Sequence, residues 1–534
     1  MTPQLDLSPA LWQRYDAGPV ALWARGAPRG RSMQALAAAL ASGPAALAAA
    51  PLTGHYALVA QGPGWTAARA DRIAAVPIAW IETPGGTVIG DRAGRLVERL
   101  GDAAIDPDAA LAVAMMGYAI GTAALHRGLH RLGPGETLLV GEDGKARRAG
   151  GTAYRPWRAA GGAEAAWLRR LREVTLGVLE RLAGEGRPIV VPLSAGLDSR
   201  LVLAGLRHVG HRDLFAYTYG RPDSHEAAGA RAVAERLGVP WAMIPLDHAA
   251  VRAQWRDPAH DAWLAFADSD AATPVDQGWH AARRLRDQPW WPAGALVVNG
   301  QSGDFLTGGH IPLALAAPQP GEPWPRLFRA IVAKHAALWP ALRTPDRLAR
   351  IETPLRRQLD AIGAPWDRAD GLAAAYEASE HLNRQVNFVV PGQRIYDALE
   401  LDWRLPLWDD AWIDLWEEVP LALKVGQRLY RRMLEESDWG GVWRDLAAPR
   451  FVSPAWLRGP RLALRAAAAP FGRDAWHRVE RRFLAYWMDA NCEYDIVRWR
   501  DLALSPRDFR NPISWMTRAY LARKGLAWDG ARPA

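Results

Sequence analysis

Six consecutive residues, Ser194 to Ser199 (SAGLDS), combine side chains that suit the binding of phosphate and of a metal ion. The hydroxyls of Ser194 and Ser199 are hydrogen-bond donors, and Gly196 permits a close approach of the backbone to a ligand. The carboxylate of Asp198 is a hard oxygen ligand of the kind that Mg²⁺ prefers. This spacing favours a pyrophosphate clamp, although an ordinary strand–turn–helix with a Ser or Asp N-cap would use the same residues.

The segments on either side of this loop determine where its polar groups point. Residues 189–191 form a β-branched run that predicts a strand, and residues 200–209 carry apolar side chains at helical spacing. A loop that leads from a strand into a helix directs the free N–H groups of the first helical turn at the space above it. That space is a natural anion site.

Two motifs in this order resemble the asparagine synthetase family of ATP pyrophosphatases, which adenylate a carboxylate and release pyrophosphate. SAGLDSR, residues 194–200, resembles the SGGxDS pyrophosphate loop of that family. VVNGQSGDFLTGG, residues 297–309, resembles the second loop of the family, usually SGEGSDELFGG. The resemblance implies that Asp198 and Asp304 hold the Mg²⁺ that bridges the phosphates of ATP.

The same resemblance implies a set of residues that contact ATP. The set consists of the first loop, the start of the second loop and the end of the strand predicted over residues 214–220: Ser194, Ala195, Gly196, Asp198, Ser199, Asn299, Gly300, Gly303, Tyr217 and Thr218. Ala195 stands where the family has the first loop glycine. A small side chain still lets the backbone amide donate, provided that φ is negative.

The order of the segments predicts an α/β fold in three regions. Residues 1–155 are β-rich and resemble a truncated, degenerate class II glutamine amidotransferase domain of the Ntn (N-terminal nucleophile) type. Residues 156–445 alternate strands and helices, which predicts a parallel α/β sheet. The resemblance implies that this region is an adenine-nucleotide hydrolase-like, asparagine synthetase-like ATP pyrophosphatase domain. Residues 446–534 are predicted to be a basic helical extension of that domain.

The first region departs from the family at its start. The glutaminase of the family requires a cysteine directly after the initiator Met, and here Thr2 stands in that place, followed by Pro3. We therefore expect no glutaminase activity. The nitrogen would come from free ammonia, from an ammonia-supplying partner enzyme or from the amine of a substrate.

A second departure concerns the cation that acts on the adenylate. In the family a lysine of a K-x-x-L-R helix stabilises developing negative charge, and the corresponding helix, LKVGQRLYRRML, has Gln427 at that position. Lys424, one turn earlier, and the adjacent Arg428 are the candidates for the catalytic cation. In the second loop, Gln301 and Phe305 replace two acids of the family, which argues against an aspartate-specific pocket.

These features lead to one preferred function and two alternatives. The preferred function is an ATP-dependent ligase that joins a carboxylate to ammonia or an amine. The motifs resemble a subgroup associated with surface-polysaccharide biosynthesis, which implies a uronic acid on a nucleotide-linked or lipid-linked sugar as substrate. The alternatives are a macrolactam cyclase of the lasso-peptide type and a non-catalytic scaffold that binds ATP.

Composition and charge bound the remaining possibilities. The single cysteine, Cys492, excludes an internal disulfide, and no secretory signal or transmembrane segment is evident, so a cytoplasmic protein is expected. Residues 451–534 contain fifteen Lys and Arg against eight Asp and Glu, but no nucleic-acid motif, so no nucleic-acid partner is expected. A helix near residue 480 presents Trp476, Val479, Phe483 and Trp487 on one face and arginines on the other. It would pack on its own domain, lie on the inner membrane or contact a lipid-linked substrate.

Overall fold

The computed structural model describes residues 3–101, 103–317, 319–444 and 454–532. Thr2 and the predicted boundary at 445/446 lie outside these ranges. Within them, a β-rich region precedes an α/β region, which confirms the predicted fold class. The predicted division into three domains stays a prediction.

Ten strands build the β-rich region. They are β1 (Gln4–Asp6), β2 (Gln13–Ala17), β3 (Val20–Gly26), β4 (Tyr56–Gly62), β5 (Trp65–Ala70), β6 (Ala79–Thr83), β7 (Gly86–Gly90), β8 (His130–Arg131), β9 (Glu136–Val140) and β10 (Ala146–Gly150). One sheet has the order β1-β7-β6-β8, and the other is antiparallel with the order β10-β9-β5-β4-β3-β2. The continuously buried first residues of β4 fit its place near the centre of this sheet, between β5 and β3, whereas β3, next to the edge strand, alternates buried and half-buried residues.

A parallel sheet of five strands forms the centre of the α/β region. Its strands are β11 (Ile189–Pro192), β12 (Leu214–Gly220), β13 (Trp241–Pro245), β14 (Leu296–Val298) and β15 (Asp402–Arg404), in the order β13-β12-β11-β14-β15. The predicted strands at 189–191 and 214–220 are confirmed. Because β11 lies between β12 and β14, the loops that follow β11 and β14 emerge side by side at the carboxyl edge of the sheet.

Helices cover the sheet and fill the rest of the chain. They are α1 (Met33–Ala39), α2 (Ala45–Ala49), α3 (Ala93–Val97), α4 (Pro107–Met116), α5 (Glu164–Ala183), α6 (Leu197–His208), α7 (His225–Leu237), α8 (His248–Gln254), α9 (Pro258–Ala267), α10 (Trp279–Ala282), α11 (Gly303–Leu306), α12 (Leu313–Ala316), α13 (Pro323–Lys334), α14 (Pro345–Ala361), α15 (Leu372–Glu380), α16 (Arg394–Ala398), α17 (Asp410–Glu418), α18 (Leu421–Lys424), α19 (Arg428–Ser437), α20 (Arg458–Ala468), α21 (Gly472–Val479), α22 (Ala485–Met488), α23 (Trp499–Ala503) and α24 (Pro512–Arg523). A π-helix, His381–Val389, continues α15 toward the second loop. Among the described helices, none has the length and apolarity to span a membrane.

The β-rich region is fixed to the α/β region by buried and half-buried polar contacts. Arg25 of β3 pairs with Asp397 at 2.6 Å, and Tyr154 donates a hydrogen bond to the carbonyl of Trp416 at 3.2 Å. One hydrophobic core runs through both regions and includes residues of β4, β11 and β14. The β-rich region therefore packs against the parallel sheet and helps to hold the strands that carry the two loops.

Candidate active site

The first loop connects β11 to α6 and folds around its own hydroxyl groups. The Ser194 N–H donates to Ser199 Oγ at 3.0 Å, and the Gly196 N–H donates to Ser194 Oγ at 3.1 Å. Ala195 is not among the described residues with positive φ, so a non-glycine residue fits this position without backbone strain. Its N–H donates to the carboxylate of Glu226 at 2.7 Å, so this amide is paired with an anionic oxygen in the structure.

The second loop runs from β14 into α11 and lies directly against the first. A Cβ on Gly300 would lie 2.7 Å from both the Asp198 carbonyl carbon and the Ser199 nitrogen. A Cβ on Gly303 would lie 2.6 Å from the Asp198 carboxyl carbon. Glycine at both positions is therefore explained by the close approach of the loops, without any need for unusual φ values.

This contact predicts the effect of adding one methyl group. Gly300→Ala should push the second loop away from Asp198 and lower kcat/KM about a hundredfold, because misplacement of reacting groups by about 1 Å has that cost. Gly161→Ala is the matched control, since a Cβ there meets nothing within 4 Å. Steady-state kinetics on both variants checks the expectation, and equal activity of the two would contradict it.

The loops bring the two predicted metal ligands together. The Asp304 N–H donates to Asp198 Oδ2 at 2.8 Å, and the Tyr430 hydroxyl donates to Asp198 Oδ1 at 2.9 Å. Burial raises the pKa of Asp198 to about 7, and the negative charge of Asp304 adds to the rise. Two adjacent carboxylates with this mutual repulsion fit a divalent cation with oxygen preference, so the residues suit Mg²⁺.

A chain of charged side chains holds Asp304 from behind. His310 Nε2 lies 2.9 Å from Asp304 Oδ2, and His310 Nδ1 lies 2.6 Å from the buried carboxylate of Glu380. Burial opposes the charged imidazole, but the two carboxylates outweigh it and raise the pKa of His310 to about 9. Lys334 completes the chain, with its Nζ 2.9 Å from Glu380. The chain fixes the orientation of Asp304 and was not predicted from the sequence.

A cavity of about 780 Å³ opens above the two loops. Of the residues predicted to contact ATP, those that line it are Ser194, Asp198, Ser199, Thr218, Asn299 and Gly300, together with Asp304. Thr218 donates to the carbonyl of Leu193 at 2.8 Å and Tyr219 lines the wall beside it. Tyr217 is buried, with its hydroxyl 3.2 Å from that of Tyr396.

Two further walls of the cavity come from segments distant in sequence. Gln301 of the second loop donates to the carbonyl of Val389 and accepts from Gln393, which places neutral amides on one side. Met488 and Asn491 also line the cavity. The sequence offered no signal for these walls, because their residues reach the site only through long-range packing.

Lys424 does not reach this cavity. Its Nζ lies 2.7 Å from Glu377 Oε1 and donates to the Tyr154 hydroxyl at 2.7 Å, in the interior behind the second loop. Burial lowers the pKa of Lys424 although the Glu377 carboxylate favours its charged form. The lysine side chain therefore forms a buried ion pair and does not line the cavity above the two loops.

The helix that carries Gln427 presents a different cation. Gln427 Nε2 donates to Thr307 at 2.8 Å, and its Oε1 accepts from the guanidinium of Arg431 at 3.3 Å. Arg431 directly follows Tyr430, whose hydroxyl binds Asp198. Arg428 points elsewhere, because it pairs with Glu164 on the surface. Through Gln427, the Arg431 side chain is linked to Thr307 of the second loop.

The arrangement has the parts that a nucleotide-activating site requires. Loop amides and hydroxyls face a polar cavity, two carboxylates converge beneath it, and a fixed chain of charges holds one of them. Preorganised donors of this kind stabilise negative charge that develops on phosphate oxygens. The site is therefore suited to phosphate chemistry.

Comparisons with known proteins bear on this site. A family model described as asparagine synthase matches residues 171–437, half of the chain and both loops. Among curated proteins the comparison finds no match. A solved structure, glutamine phosphoribosylpyrophosphate (PRPP) amidotransferase from B. subtilis complexed with ADP and GMP, is 10% identical over 44% of this chain and 72% of that chain. The TM-score of this comparison is 0.19. On the evidence of the family model and the two loops that it spans, the chain belongs to the asparagine synthase family.

Proposed function

We propose that this chain is an ATP-dependent carbon–nitrogen ligase that forms an acyl-adenylate and releases AMP and pyrophosphate. Family membership indicates ATP-dependent amide formation in general. The observation that supports the finer proposal is the 2.8 Å hydrogen bond from the Asp304 N–H to Asp198, since it joins the two loops at one point beneath the cavity. Asp198 and Asp304 would hold Mg²⁺, which would neutralise charge on the phosphates when bound.

The proposed reaction has two steps. A carboxylate oxygen of the substrate attacks the α-phosphorus of ATP, and the bond from that phosphorus to pyrophosphate breaks. The nitrogen of an amine then attacks the acyl carbon, the C–N bond forms, AMP leaves with the carboxylate oxygen and the amine proton passes to solvent. The Ser194 and Ser199 hydroxyls and the amides at the start of α6 bind the pyrophosphate. His310 keeps Asp304 oriented through both steps.

We assign to Arg431 the positive charge that the sequence predicted for Lys424 or Arg428. Arg431→Met should lower kcat by about tenfold to a hundredfold, because a cation aimed at developing charge contributes on this scale. Arg431→Lys should recover part of the loss. Arg428→Met is the control, and its kcat should equal that of the unmodified chain because Arg428 pairs with Glu164. If Arg428→Met had the larger effect in steady-state kinetics, the assignment would be reversed.

One side of the cavity is lined by neutral polar side chains, which suits a substrate that is polar and uncharged apart from its carboxylate. Gln301, Gln393 and Tyr396 supply neutral donors and acceptors there. Such a wall suits the hydroxyl groups of a sugar, and we propose a uronic acid of a surface polysaccharide, on a nucleotide-linked or lipid-linked carrier, as the substrate. Free ammonia or a substrate amine would supply the nitrogen, without glutamine hydrolysis by this chain.

A panel of acids tests the proposal. Pyrophosphate release is measured with ATP, Mg²⁺ and ammonium, in the presence of uronic-acid sugars, aspartate or linear peptides. Release that depends on a uronic acid would support the proposed substrate. Release with a peptide alone would indicate a macrolactam cyclase, and ATP binding without release for every acid would indicate a non-catalytic scaffold.

A further inference from the structure

An apolar tip projects from the C-terminal helices. Arg461, near the start of α20, pairs with Glu480, just after α21, so the two helices form a hairpin. Its end is the sequence AAAAPFG, residues 466–472, in which a 3₁₀ turn, Ala469–Phe471, connects the helices. Phe471 is 77% exposed at this turn, and Leu462 on α20 is 64% exposed.

The exposed residues Leu462 and Phe471 are distinct from the apolar residues on the inner face of the hairpin. That face consists of Leu457, Ala468, Trp476 and Leu484, which pack together as a small core. The predicted apolar face at residues 476–487 is therefore partly used within the domain, because Trp476 is buried in this core. Leu462 and Phe471 lie outside the core, so the structure gives them no partner among the described residues.

The hairpin as a whole is basic, and two of its arginines flank the tip. Residues 458–482 contain seven arginines and two carboxylates, Asp474 and Glu480, and Glu480 pairs with Arg461. Arg465 and Arg473 stand directly on either side of the apolar segment and form no ion pair with any carboxylate in the described part of the chain. An exposed apolar residue flanked by two arginines that have no carboxylate partner complements a surface with an apolar interior and anionic head groups.

We propose that the tip of the α20–α21 hairpin docks this protein on a bilayer that contains anionic phospholipid. Phe471, at the turn, enters the boundary between head groups and acyl chains. The guanidinium groups of Arg465 and Arg473 bind the lipid phosphates. This proposal concerns the location of the protein and does not depend on its reaction.

Vesicle sedimentation of the full-length protein tests the proposal. The vesicles contain phosphatidylcholine alone, or phosphatidylcholine with about one third phosphatidylglycerol. The protein should sediment with the anionic vesicles and remain largely in solution with the neutral ones. Phe471→Asp should lower the partition coefficient about tenfold or more, through loss of apolar insertion. Arg465→Glu/Arg473→Glu should lower it by about twentyfold or more, since each surface arginine contributes about fivefold.

Control variants show whether a loss of vesicle binding is specific to the hairpin. Leu313→Asp changes another exposed apolar side chain, outside the hairpin, and Arg147→Glu/Arg368→Glu changes two exposed arginines elsewhere. These variants should bind like the unmodified protein, and circular dichroism confirms that all variants are folded. If the unmodified protein stays in solution with anionic vesicles, or if the hairpin variants bind as tightly as the controls, the proposal is wrong.

Discussion

Asp198→Asn should abolish AMP formation almost completely, with a fall in kcat of about a thousandfold. Asp198 is the point at which both loops meet, because it accepts from the Asp304 N–H and from the Tyr430 hydroxyl. The amide keeps the size of the side chain but removes its negative charge, which is the property that a Mg²⁺ ligand needs. AMP is measured from α-labelled ATP at saturating Mg²⁺ with the acid that the panel identifies.

The matched control is Asp346→Asn, which changes an exposed aspartate in the first turn of α14. Its kcat should equal that of the unmodified protein. The Asp198→Asn protein should also unfold at the same urea concentration as the unmodified protein or a higher one, because it no longer buries a carboxylate beside Asp304. An active Asp198→Asn protein would remove the basis of the proposed site.

Lys424→Met should destabilise the fold by about 3–5 kcal/mol, the second large effect that we expect. Removal of the ammonium leaves Glu377 buried without its partner, and burial already raises the pKa of that carboxyl. The urea midpoint measures the loss. Activity per folded molecule should change little, because Lys424 has no access to the cavity.

The double variant Lys424→Met/Glu377→Leu separates a structural role from a catalytic one. It should recover most of the stability, since replacing a whole buried ion pair by apolar residues is often neutral. Arg231→Met provides the comparison at an exposed pair, where the expected loss is below about 1 kcal/mol. If kcat fell a hundredfold in a double variant of normal stability, Lys424 would be catalytic and the role given to Arg431 would be lost.

Local sequence was sufficient for the parts of the site that lie next to each other in the chain. The strand at 214–220 and the strand before the first loop are found as predicted, because β-branched and aromatic runs between turn residues leave few alternatives. The approach of Asp198 to Asp304 followed from the resemblance of two loops. The structure adds the physical reason for this approach: the two loops follow strands that are parallel neighbours in the sheet.

Long-range packing determined what the sequence did not reveal. Nothing near Lys424 in the sequence indicates that its ammonium would be drawn to Glu377 on α15, so its position one turn from Gln427 suggested an active-site cation. Local sequence likewise does not indicate that Glu226 binds the Ala195 amide or that Asn491 lines the cavity. Spacing within a helix gives the face of a residue but not the partner that this face meets.

The fate of the carboxylate oxygen tests the central claim most directly. The acid that supports pyrophosphate release is labelled with ¹⁸O in its carboxylate, and the products are analysed by mass spectrometry. Attack of the carboxylate on the α-phosphorus predicts one labelled oxygen in AMP. The Asp198→Asn protein should form almost no labelled AMP in the same time. Label in inorganic phosphate or in pyrophosphate instead of AMP would contradict adenylation at this site.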